Sequence, residues 1–368
     1  MKNETRCETN PLFGLAIGLA VVLGGCGNAD NSVKSSSASG TTSAPTVKKV
    51  DRDMLGAFGQ MPKSADNPKN ATNPDKVALG RQLYFDTRLS KNQDISCNSC
   101  HGLATFGVDN KPVSEGHKKQ LGGRSAPTVY AAALHFRQFW DGRAEDVEEQ
   151  ATGPVLNPIE MAMPNEAAVV AVLKSIPEYE AAFKKAFPSD ADPVTLANVG
   201  KAIGAFERTL LVSGRWDKYL AGDETALSDD EKAGLATFLD VGCQTCHMGP
   251  AVGGGSYQKL GLIKPWGESK DQGRFEVTKN DADKMMFKVP SLRNIAKTGP
   301  YFHDGSIKDL ETAVEKMAHH QRGRDLTPAE IKSIVTFLQA LTAEPPADMV
   351  KPPELPKSTD KTPKADPN

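Results

Sequence analysis

Cys97-Asn98-Ser99-Cys100-His101 and Cys243-Gln244-Thr245-Cys246-His247 are one five-residue signature written twice in a chain of 368 residues. Two thiols three positions apart on a turn can form thioether bonds to the two vinyl groups of one haem. The imidazole that follows the second Cys then lies beneath the iron. A bare Cys-x-x-Cys could also be a redox dithiol or half of a zinc site. Zinc would need two further ligands per pair, and a thioredoxin-like pair would need a strand and βαβ context that is absent. The immediate His in both copies points to two covalently attached c-type haems, with His101 and His247 as iron ligands. All four Cys of the expected folded body are then used, and no structural disulfide remains to be placed.

Outward from these sites the repeat continues. Gly80-Arg-Gln-Leu-Tyr-Phe-Asp86 precedes the first signature, and Gly234-Leu-Ala-Thr-Phe-Leu-Asp240 leads almost directly into the second. Internal similarity of this kind means one unit used twice. Asn73-Pro74 supplies an N-cap and a first-turn proline, and Ser228 with Glu231 forms a capping box, so a helix should deliver each Cys pair. Each half closes on an amphipathic run: Leu196, Val199, Ile203, Phe206 and Leu210 in the first, Ile331, Ile334, Val335, Leu338 and Leu341 after Thr327-Pro328 in the second. Little alternates like a strand. The expected fold is all-α, two cytochrome c-like domains over 51–211 and 212–342, each around one haem.

The ends read differently. Lys2 and Arg6 precede an apolar run from Leu12 to Leu23, too short to span a membrane comfortably and suited to a signal peptide over 1–26. It closes in Leu23-Gly24-Gly25-Cys26, which resembles a lipobox, so Cys26 is the expected lipid-anchor position and Cys7 is discarded. Either way the chain is exported, and the expected location is the periplasm, tethered as a lipoprotein. Residues 27–50 are rich in Ser, Thr, Ala and Gly and suit a disordered tether. Residues 343–368 are rich in Pro and Lys, either an extended tail or a strap lying on the domains. With 39% hydrophobic residues the chain can bury a core in each half, and a formal net charge of −2 excludes the basic excess that a nucleic-acid partner requires.

The ligand on the far side of each iron separates electron transfer from chemistry. Beyond the proximal pair, the candidates are His117, His135, His303, His319 and His320, with Met285, Met286 and Met317, and spacing alone does not choose among them.

From about Asn73 to Leu341 the chain resembles the bacterial dihaem cytochrome c peroxidases. The resemblance is carried by Gly116-His117, Ala126-Pro127-Thr128-Val129, Phe139-Trp140-Asp141-Gly142-Arg143, Asn157-Pro158-Ile159-Glu160-Met161, Lys288-Val289-Pro290-Ser291-Leu292-Arg293-Asn294 and Tyr301-Phe302-His303-Asp304-Gly305, in the family's order. It implies that His117 is a removable ligand of the N-terminal, peroxidatic haem. It also implies that Met317 ligates the C-terminal, high-potential haem, although with Leu310, Ala313 and Val314 this Met shares one helical face, as a core Met would. Glu160 matches the distal acid, Gln150 its amide neighbour, Trp140 the aromatic between the haems, and His303 a residue near the second haem's propionates. The family's calcium site maps onto the carbonyls of Thr298 and Pro300, with Ser125 where the family has Asn. The implied activity is reduction of hydrogen peroxide with electrons from a small cytochrome c or cupredoxin, in a homodimer. Two rivals stand beside it: a dihaem electron carrier without peroxidase chemistry, and a relative that oxidises protein side chains, expected to lack the removable His and to carry Tyr at the Met position.

Overall fold

Helix starts fall where the capping chemistry puts them. In the computed structural model, which describes residues 50–368, the Asn73 side chain accepts from the Lys76 N–H at 2.8 Å and Pro74 opens α1 (Pro74–Phe85). Three helices follow in the first half, α2 (Val147–Leu156), α3 (Glu166–Lys174) and α4 (Pro177–Ala186), and α5 (Leu196–Glu207) closes it. The second half is framed by α6 (Asp229–Val241), α7 (Leu310–Arg322) and α8 (Pro328–Ala340). Both α6 and α8 begin with a reciprocal capping box, Ser228 with Glu231 and Thr327 with Glu330. The expected signal segment, with Cys7 and Cys26, and nearly all of the tether lie outside the described residues.

The glycine that begins each repeat makes its helix crossing. A Cβ at Gly80 would collide with the Ala202 carbonyl of α5, and one at Gly234 with the Ser333 carbonyl of α8. Thus α1 lies directly against α5, and α6 against α8. Around the first crossing Leu79, Leu83, Tyr84, Val199, Ile203 and Phe206 form one buried cluster. Around the second, Trp216, Leu235, Phe238, Ile334, Phe337 and Leu338 form another. Each fully buried side chain of this size contributes roughly 1.5–3 kcal/mol. Leu55 and Phe58 pack into the second cluster, although they precede α1 in sequence.

Each cluster also encloses an ion pair. Glu148 meets Arg208 at 2.7 Å, and Asp217 meets Arg293 at 2.7 Å. Burial alone would raise both carboxyls. The arginine hydrogen bonds overcome that and hold both below the ordinary carboxylate range.

Two sequence expectations change, and one open alternative is settled. The fold is mostly helical but not all-α: β1 (Tyr257–Lys259) pairs antiparallel with β2 (Met286–Lys288), Tyr257 opposite Lys288. Three-residue strands joined across a long loop are too short to show a period of two. The run ending at Leu210 stops being helical at Glu207, yet Leu210 is fully buried. Residues 343–368 form the strap. Leaving α8, the chain crosses to the first half, where Arg81 holds the Lys351 carbonyl at 2.8 Å, Gln93 the Pro363 carbonyl at 2.7 Å, and Thr359 the Ser175 carbonyl at 2.8 Å. No helix among the described residues is long and apolar enough to cross a membrane.

Candidate haem sites

The first signature is a single helical turn, Cys97–Cys100, whose cap Ser96 donates its N–H to Ser99 Oγ at 3.0 Å. His101 follows at once, with Nδ1 2.9 Å from the Pro127 carbonyl, which can only accept. Nδ1 therefore carries the proton and Nε2 is left with its lone pair for a metal. Tyr84 donates to the His101 carbonyl at 2.6 Å and fixes the turn from α1. In the second half α6 ends on Gly242, which is left-handed at φ 82°, and Cys243 begins the next turn.

Burial pushes the Cys97 and Cys243 thiols up to about 12. Burial also lowers His101, and lowers His247 to about 4, which keeps the neutral imidazole that ligates iron. All four thiols are free of disulfide bonds.

Near the first signature the structure brings together His117 and Glu160. His117 is buried and its Nδ1 has no partner. Its backbone N–H donates to the Glu160 carbonyl at 2.8 Å, and a Cβ on Gly116 would collide with the Ile159 carbonyl, so the two loops are interlocked. Burial raises the Glu160 carboxyl against the opposing effects of Arg143 and Asn157, and burial, with smaller contributions from Asp109 and Glu160, raises the Cys100 thiol. Gln150 lies half-buried on α2, and no hydrogen bond joins its amide to Glu160. A carboxyl raised by burial, on a loop bonded to the one that carries an unpartnered imidazole, is suited to moving a proton.

The second signature opens on a cavity whose space, counting its open mouth, is about 1710 Å³. Cys243, Cys246 and His247 line it, and so does Met317 from α7, whose neighbours Leu310, Ala313 and Val314 share that wall. Met285 and Met286 do not line it. Trp140 and His303 do, so a tryptophan from the first half of the sequence reaches the second site. Its Nε1–H donates to the Ser125 carbonyl at 2.9 Å, and its ring meets that of His303 edge-on at 6.5 Å. His319 is tied to Asp325, and His320 Nδ1 faces the Lys264 carbonyl at 3.1 Å. His117 and His135 are then the candidates whose ring nitrogens include a buried one without a partner.

Sequence reasoning missed the group that joins the halves. Arg124 reaches Asp141 at 2.6 Å and Asp271 at 2.6 Å, next to the carbonyl that fixes Trp140. It also assigned nothing to Lys288, although the motif it begins was singled out. Ser125, Thr298 and Pro300 do line the shared cavity. Their donors are one hydroxyl and two carbonyls, and no group of three or more His, Cys, Asp or Glu among the described residues could hold a metal. Three neutral oxygens alone are an incomplete shell for Ca²⁺.

Two Cys-x-x-Cys-His turns in a mostly helical frame, each with a buried neutral imidazole, define a di-haem c-type cytochrome. The sequence matches the family described as di-haem cytochrome c peroxidase over residues 74–225. It is 49% identical to the cytochrome c551 peroxidase of Nitrosomonas europaea, covering 83% of this chain and 90% of that protein. It is 45% identical to the cytochrome c551 peroxidase of Pseudomonas aeruginosa, covering 78% and 83%. A crystal structure of a MauG-like protein associated with microbial copper homeostasis superposes with a TM-score of 0.70 at 27% identity, over 79% of this chain and 95% of that one. The chain belongs to the di-haem cytochrome c peroxidase family, and its enzyme class is cytochrome-c peroxidase.

Proposed function

We propose that the chain reduces hydrogen peroxide to water at the first haem site, using electrons that enter at the second. The observation that carries this reading is the His117 N–H to Glu160 carbonyl bond, which puts a removable imidazole and a proton-transferring acid on one interlocked pair of loops. The two cytochrome c-like domains are 51–211 and 212–342, one haem in each. When bound, the haems supply an iron for peroxide and one stored electron apiece.

The protein's part is positional and protonic. Cys97, Cys100 and His101 would hold one haem, and Cys243, Cys246, His247 and Met317 the other. His117 would be a removable ligand to the first haem, released on reduction of the second by a shift between two populations of the loop 116–122. Glu160 takes a proton from one peroxide oxygen and returns it to the other as the O–O bond breaks, with the Gln150 amide orienting the substrate. Two electrons and two protons then balance peroxide to two waters. The Met317 thioether keeps the second haem at high potential, and Trp140 lies on the path between the sites. His303 stands at the propionate side. A calcium ion in the seam would draw on Ser125, Thr298 and Pro300 and otherwise on water, and no step runs through it. The donor is a small cytochrome c or cupredoxin. The enzyme is a periplasmic homodimer, exported by residues 1–26 and lipid-anchored at Cys26.

A protein-oxidising activity is the second reading, and the likeness to a MauG-like structure is consistent with it. Met317 on the wall of the second cavity argues for peroxidase, because that rival is expected to carry Tyr there. Peroxide turnover with a reduced donor, run on fully oxidised and half-reduced enzyme, tests the proposal. Turnover only after half-reduction, with a high-spin signal at one haem, is expected. Equal turnover in both states removes the His117 switch, and none in either removes peroxidase action.

A further inference from the structure

Lys288 is a buried cation without a buried anion. It is 4% exposed, and among the described residues no acidic side chain lies within ion-pair distance of its Nζ. Its neighbour there is His135, whose Nδ1 lies 3.1 Å from Nζ. An ammonium only donates, so Nδ1 accepts and the imidazole proton sits on Nε2. That Nε2 is itself buried and has no partner. Both side chains line the cavity of the second signature.

The two residues therefore present unused donors of one kind, two N–H bonds of the ammonium and one of the imidazole, to the same space. Leaving such groups unpaired in a dry site is costly, and burial lowers the Lys288 ammonium to about 8. A carboxylate relieves all of it, since two oxygens can accept from both side chains at once. The described residues offer none at this point. The group expected in this cavity carries two.

We infer that Lys288 and His135 form the seat of one propionate carboxylate of the second haem, and that Lys288 is a positioning residue that helps to set that haem's potential. The inference rests on the haem reading of Cys243, Cys246 and His247. The seat is also built next to the electron path, because the Lys288 N–H donates to the Trp140 carbonyl at 2.7 Å, and a Cβ on Gly254 would strike the His135 ring and loosen it. A fixed positive charge at the carboxylate favours the reduced, less positive haem.

The test uses the full holoenzyme with Lys288→Met, Lys288→Arg and His135→Phe. Haem content and mass establish first that both haems are attached. Loss of attachment at Cys243 and Cys246 in the unaltered protein would overturn the haem reading itself. With both haems in place, Lys288→Met is expected to lower the second haem's reduction equilibrium about tenfold, near 59 mV for one electron. The resonance Raman propionate-bending band of that haem should shift in Lys288→Met and His135→Phe, and Lys288→Arg should restore the potential. An unmoved propionate band in both variants, or a potential unchanged in Lys288→Met, overturns the seat. If Lys288→Met does not retain haem, His135→Phe alone decides through the same band.

Discussion

The first and second halves of the chain repeat one scaffold and differ in their loops. Each has a glycine at its main helix crossing, a Cys-x-x-Cys-His turn delivered from that helix, a closing amphipathic helix and a buried arginine–carboxylate pair. Near the first signature the chain adds His117 and Glu160 on two interlocked loops. At the second it places Met317 on a regular helix, in the same wall as Leu310, Ala313 and Val314. Loops anchored on a rigid frame can change partners at small cost, whereas a side chain fixed on a packed helix cannot. The difference teaches that duplication supplied two holders, and that only the first carries an interlocked pair of irregular loops able to change partners.

Glu160→Gln should break this comparison most visibly if the roles are reversed. Removing a general acid–base group lowers turnover about 10²–10⁴-fold, while both haem spectra stay as they are. Because burial raises the Glu160 carboxyl, peroxide turnover should rise with pH along a limb above the ordinary carboxylate range, and the Gln variant should lack that limb. Steady-state rates against pH give both results. Unchanged turnover would mean that proton transfer belongs elsewhere.

The paired arginines sharpen the comparison in stability. Arg208→Met leaves Glu148 buried and unpaired, and Arg293→Met does the same to Asp217, so each should cost about 3–5 kcal/mol. Both halves belong to one compact unit, so guanidinium unfolding should remain a single transition displaced by a similar amount in the two variants. Two separate transitions, each moved by its own variant, would make the halves independent.

Much of this was legible in the sequence because it is local. Caps, helical period and the five-residue signatures fix Asn73, Ser228, Thr327 and both Cys turns without reference to the rest of the chain. The small strand pair was not legible, since its register joins residues far apart in sequence. The pairing of Lys288 with His135 was hidden for the same reason, as was the bridge from Arg124 to Asp271. The strap was half legible. Its composition resists regular structure, but only the partners in the first half, such as Arg81 and Ser175, decide that it lies down.

The last effect, spread gradually over several pH units, concerns a group for which the second half has no equivalent. The buried acids there, Asp217 and Glu231, are each held by an arginine. Glu207, at the end of α5 in the first half, is 4% exposed and is pushed up to about 8, mainly by burial and then by the charge of Glu148, against the pull of Arg208. Between its ordinary value of 4.5 and about 8, the folded state holds a proton that the unfolded state has lost. Stability should therefore be full below that window and fall as pH rises through it, at up to roughly 1.4 kcal/mol per pH unit. Glu207→Gln keeps the shape of the protonated acid and has nothing to ionise, so its unfolding midpoint in urea should be flatter between pH 5 and 8. The neighbouring Cys97 thiol, raised in part by Glu207, ties this group to the edge of the first haem site. A slope unchanged by the substitution would place the proton on another group, and the asymmetry between the halves would then lie in the loops alone.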